Sequence, residues 1–130
     1  MTYGTSVTVD RPYAETVSLV RDALARQGFG VLTEIDVAAT LATKLGVTVA
    51  PQVILGACNP PLAHRALQAE ESLGLLLPCN VVVRAVEDDR TTVEALDPQV
   101  MVGVTGNEAL EDVAKEAATK LATALSTLVN

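Results

Sequence analysis

Two cysteines, one histidine and two asparagines stand where the chain could do chemistry. Cys58 closes a β-rich run, residues 52–57, and Asn59-Pro60-Pro61 follows it, so it lies between a strand end and a helix N-terminus. There the helix dipole and free N–H groups favour a thiolate, which would make Cys58 a nucleophile or redox-active thiol. Against this, Pro60 and Pro61 remove two of the first N–H donors, and no Lys or Arg adjoins Cys58 in sequence. The plainer role, a small buried residue at a tight junction, is the expected one. His64 follows near the start of the second turn, within reach of the same strand end. Paired with Cys58 it suits a nucleophile and its base, or two metal ligands. As the only histidine it builds no His-rich site, and a satisfied or exposed place on an amphipathic helix is its ordinary reading.

Cys79 and Asn80 enter because Pro78-Cys79-Asn80 begins a second apolar strand able to neighbour residues 52–57. In that case Cys58, Cys79 and His64 converge, with Asp36 or Glu34 from another strand end as an oxygen ligand. No paired Cys-x-x-Cys fixes a tetrahedral geometry, so no metal is expected. A Cys58–Cys79 disulfide is allowed by count, but not as a permanent staple in a reducing compartment. Asn59 has a structural use as a helix N-cap, whereas Asn80 has none so plain. Arg65 and Arg84 could hold a carboxylate or phosphate, although a solvated face or a salt bridge to Glu70 or Glu71 is the commoner use. The chain has no Gly-rich phosphate loop, no Gly-x-Ser-x-Gly elbow and no His-Glu-x-x-His, so no catalytic residue is assigned and no cofactor is implied.

Composition narrows the partners. The 130 residues carry 9 basic against 16 acidic side chains, a formal charge of -7 that repels nucleic acid. Aromatic residues are only 2%, which leaves no base-stacking platform. Hydrophobic residues at 49% and charged residues at 19% exclude a disordered chain. No apolar run is long enough to span a membrane, and the first ten residues lack the order of a signal peptide, so a cytoplasmic protein is expected.

The elements that must position these residues follow from periodicity. Residues 5–9 alternate as a strand. Asp10 is read as the N-cap of a helix over 11–27, with Tyr13, Val17, Val20 and Leu24 inward and Gly28 as its stop. Residues 29–35 form a strand that turns Phe29, Val31 and Ile35 to the core, and Asp36 caps a short helix through Leu45, ended by Gly46. Residues 52–57 suit an inner strand buried on both faces. A helix over 60–69 follows, then a break at 74–78, then a hairpin of 79–86 and 91–96 around Glu87-Asp88-Asp89-Arg90. Asp97-Pro98 caps a single helical turn through Met101, with a short strand over 100–104 as the alternative. Asn107 caps a closing helix whose apolar face is Leu110, Val113, Ala114, Ala117, Leu121, Ala124, Leu125 and Leu128. The fold class is α+β: one domain over 1–130, a mainly antiparallel sheet with helices on one face.

The segments Ile54-Leu55-Gly56-Ala57-Cys58-Asn59-Pro60 and Leu76-Leu77-Pro78-Cys79-Asn80-Val81 resemble the bacterial and archaeal family catalogued as domain of unknown function 302. So do residues 28–36, 44–46 and 63–67, and the likeness runs from about Tyr3 to the C-terminus, with a departure at residues 48–51. It implies a small fold similar to the TATA-binding-protein-like strand, helix, four strands and helix, here with extra short helices, as a homodimer without established activity.

The function expected from these readings is a non-enzymatic homodimeric module. A cleft near Cys58, Asn59, His64, Cys79 and Asn80 would receive a small polar ligand or a partner segment. The alternative is a thiol-based enzyme or redox sensor using Cys58 with His64 or Cys79. The leucine-rich segment 73–78 is expected in the dimer contact, because a connecting segment usually runs over the surface.

Overall fold

The computed structural model describes residues 1–129. Five strands form one sheet in the order β1-β5-β4-β3-β2, every neighbouring pair antiparallel: β1 (Gly4–Val9), β2 (Gly30–Asp36), β3 (Gln52–Cys58), β4 (Cys79–Glu87) and β5 (Arg90–Leu96). The helices are α1 (Tyr13–Arg26), α2 (Val37–Leu45), α3 (Pro60–Ala69), α4 (Val100–Thr105) and α5 (Glu111–Ser126). This is the α+β order read from periodicity. It holds because β-branched runs alternate with helices that each carry one apolar stripe.

The core lies between the helices and one face of the sheet. Val53, Leu55 and Ala57 of β3, Val81 and Val83 of β4, and Val93 and Ala95 of β5 point into it. From above, α5 and the 3-10 turns at its two ends bury the whole stripe from Leu110 to Leu128, and α1 buries Val20, Ala23 and Leu24, with Tyr13 and Val17 packed at its margin. The opposite face of the sheet is only half covered, so the expectation that β3 is buried on both faces is corrected: Gln52 and Ile54 remain partly exposed there. Antiparallel sheets tolerate one wet face because only one needs a helical layer.

Two local readings are corrected and a third is decided. Asp10 does not cap α1; Pro12 takes the N-cap position in extended conformation, and the Thr16 N–H bonds its carbonyl at 3.0 Å. Arg11 cannot be helical because a following proline crowds the helical region out. Ile35 faces away from the core and is 51% exposed. A register shift between Val31 and Thr33 moves the alternation by one residue, so Val31 pairs with Ala57 on the core side while Ile35 pairs with Ile54 on the other. Residues 100–105 are helical, which removes the strand alternative, and Asp97 accepts from the Gln99 N–H at 2.9 Å in the turn that precedes them. Asp36 and Gly46 bound α2 as read, through the Ala39 N–H and a left-handed φ of 67°.

The helix that follows Cys58 is tied at both ends by asparagines. At its start, Asn59 Oδ1 accepts from the Leu62 N–H at 3.4 Å while Nδ2 donates to the Gln27 carbonyl at the end of α1, 3.3 Å away. At its end, Asn107 Nδ2 donates to the Ala69 carbonyl at 2.8 Å and to Glu70 Oε1 at 3.1 Å. Asn107 also caps the 3-10 turn leading into α5, accepting from the Ala109 N–H at 3.0 Å. Gly28 makes room for the first tie: its φ is 83°, and a Cβ there would lie 3.0 Å from Asn59 Nδ2. Asn59→Ala is expected to cost about 1 kcal/mol and to lower the melting temperature by about 4 °C. Calorimetry of the two proteins checks this, and an unchanged midpoint would remove Asn59 from the architecture.

Candidate functional site

Beneath α3 the helical layer does not close on the sheet. A cavity of about 310 Å³ lies between the ends of β2, β3 and β4 and the helices α3 and α5. Phe29 and Ala57 form part of its sheet side; Leu73, Leu77 and Pro78 contribute from the segment between α3 and β4; Met101 and Leu110 close the end near α4. The helical wall is made of small side chains, Ala63 and Ala66 on α3 facing Ala114 and Ala117 on α5, with Leu62 and Val113 beside them. Alanines at these places leave space that larger residues would fill. The exposed Leu32 and Thr33 on β2 stand at the rim.

Of the five residues read from the sequence, Cys58, Asn59 and Cys79 line this cavity. Asn59 does so while both ends of its amide serve the fold. His64 is exposed on α3, outside the cavity wall, and the expected convergence of Cys58, Cys79 and His64 is corrected to the two thiols alone. Asn80 pairs with Gly56 in the sheet and is exposed, on the face away from Cys79. Alternation sends it there, because successive strand residues point to opposite faces. Neither Arg65 nor Arg84 joins the site: Arg65 pairs with Glu116 at 3.1 Å and Arg84 with Glu94 at 3.2 Å, not with Glu70 or Glu71.

The electrostatics of the cavity are those of an apolar space. No charged side chain lines it, and no described residue holds a buried side-chain nitrogen or oxygen without a partner. Among the described residues, no group of three or more His, Cys, Asp or Glu gathers as a metal site. Cys79 is 8% exposed. Burial, and secondarily the neighbouring Cys58, pushes its thiol up to about 11. It is therefore a neutral thiol at pH 7. Cys58 is half-buried at the strand end.

The cavity residues that sequence reading missed are mostly hydrophobic and carry no chemical signature of their own. Their available signal was steric: two helices on one face of a sheet present alanines where leucines would close the core.

Residues 5–128 match the family model described as "Domain of unknown function DUF302". The chain is also similar to the crystal structure of an uncharacterized conserved DUF302 protein from Bacillus stearothermophilus. The two are 32% identical and superpose with a TM-score of 0.89, over 98% of this chain and 99% of that one. No curated protein matches the chain. No described helix is long and apolar enough to cross a membrane.

The raised Cys79 thiol has a measurable consequence. A neutral folded group whose unfolded counterpart ionises earlier contributes stability that is complete below the unfolded value and is lost as pH rises through the folded one. Between about pH 9 and about 11 the wild type should therefore lose about 2 kcal/mol more stability than Cys79→Ala. Urea unfolding of both proteins across this range checks the difference. It cancels the contribution of Tyr13, whose hydroxyl is also raised, first by burial and then by Asp36 and Glu34. Parallel curves would contradict the assigned burial.

Proposed function

This chain belongs to the DUF302 family, and from that premise we propose that it is a non-enzymatic binding module whose cavity takes a small, uncharged, apolar molecule. The observation that carries this reading is the cavity of about 310 Å³, walled by hydrophobic side chains and without a charged one. Ligand sites are concave and mostly apolar, with few polar groups to orient the guest. A carboxylate or phosphate brought inside would lose its hydration without a partner. The small polar ligand expected from the sequence is accordingly revised to an apolar one. By comparison with an apolar cavity of about 150 Å³ that holds benzene, the space suits about ten non-hydrogen atoms.

Catalysis finds little support in the same geometry. A catalytic thiol is usually activated by an adjacent base or a lowered pKa, yet His64 stands outside the cavity wall and Cys79 keeps its proton at pH 7. We take the module to be a cytoplasmic homodimer. Leu73 joins the core and Leu76 and Leu77 pack against it, while Leu75 is left 88% exposed, a single large apolar side chain for a second copy to cover.

Two measurements test these readings. Butylbenzene at ten times its Kd should raise the melting temperature by about 5 °C, and Ala66→Leu, which fills the cavity, should abolish the shift. A wild type that binds no butylbenzene, or a filled variant that binds it equally well, would contradict the cavity reading. Light scattering at micromolar concentration should give twice the 13.5 kDa chain mass, and Leu75→Glu should shift it toward the monomer. A monomeric wild type refutes the dimer, and a dimeric Leu75→Glu places the interface elsewhere.

A further inference from the structure

Two thiols line the apolar cavity from adjacent strands, and they differ in access. Cys79, the first residue of β4, is buried, whereas Cys58, the last of β3, is half-buried. Ala57 pairs directly with Cys79, so Cys58 lies one residue further along the neighbouring strand. Strands about 4.8 Å apart with a rise of about 3.3 Å per residue put such a diagonal pair about 6 Å apart at Cα. That separation falls within the range a disulfide spans. Regular alternation would send the two side chains to opposite faces of the sheet. At Cys58, however, the strand ends and the chain turns through Asn59 into α3, and there both cysteines border the same space.

We infer that Cys58 and Cys79 form a reversible thiol–disulfide switch that closes the cavity when small disulfides accumulate. This rests on the cavity being a ligand site. In the first step Cys58 gives its proton to water and its sulfur attacks one sulfur of the small disulfide. The disulfide bond of that molecule breaks and one small thiol leaves, taking up a proton. Cys79 then loses its proton to water and attacks the Cys58 sulfur, which releases the second small thiol. Two protein thiols are oxidised and one small disulfide is reduced to two thiols. Burial, which keeps Cys79 protonated at pH 7, lowers the thiolate fraction available for the second step. The bridge draws the accessible residue onto the buried one and pulls the ends of β3 and β4 together, which narrows the space that both residues border.

The test uses the full chain, reduced and then equilibrated with oxidised glutathione, with intact mass and butylbenzene binding as readouts. The wild type should lose two hydrogen atoms and retain no glutathione. Its affinity for butylbenzene should fall at least about tenfold and return on reduction with dithiothreitol. Cys79→Ala should stop at the first step with one glutathione attached, and Cys58→Ser should show no mass change, with the variant's own affinity for butylbenzene the same before and after glutathione treatment. A wild type that retains glutathione as Cys79→Ala does would overturn the switch, since the two sulfurs then do not meet. A bridged protein that binds butylbenzene undiminished would overturn the gating. A reduced protein that never binds butylbenzene fails at the cavity reading instead, and the gating falls with it even where the mass shows the bridge.

Discussion

The height at which α3 stands over the sheet depends on two asparagine side chains, and the rest of the candidate site depends on that height. Asn59 joins the start of α3 to the end of α1, and Asn107 joins its end to the turn that opens α5. Each amide uses its oxygen to cap one helix and its nitrogen to hold a carbonyl of another, so neither tie can loosen without stranding polar groups near the core. A helix held at both ends cannot sink onto the sheet, and the alanines on its inner face then leave a gap. The cavity is thus a product of hydrogen bonding as much as of side-chain volume.

This division explains what the sequence could and could not disclose. The closing helix was legible residue by residue, because its apolar stripe repeats at helical spacing and every member of it is buried. The hairpin of β4 and β5 was legible from its acidic turn. Ile35 was not, because one register shift in β2 reverses the face of every residue beyond it, and no local signal marks that shift. Cys58, Asn59 and Cys79 were found from their places at strand ends. His64 and Asn80 were drawn in by sequence proximity, and helix and strand geometry turned them away. The cavity left only a weak steric signal, the alanines at inward positions of two helices, since an alanine reads the same whether it packs closely or leaves room.

The chemistry of the site follows from its apolar wall. A neutral Cys79, the absence of charged residues in the wall and the satisfied polar atoms around it describe a space that offers no partner to a charged group. The acidic surface of the chain, with its formal charge of -7, works in the same direction by repelling anions before they reach the rim. Under the proposed function, affinity would come from burying apolar area in preformed space and would be bounded by the volume available.

Diffraction from a crystal of the reduced protein held under xenon pressure tests the central claim, that α3 is held above an open apolar space. Apolar cavities take up xenon because they hold no ordered water and the polarisable xenon atom gains dispersion contacts with their walls. An anomalous peak is expected among Phe29, Ala66, Met101 and Leu110, with the helices unmoved. A cavity found collapsed, with α3 resting on the sheet and no xenon between them, would contradict it.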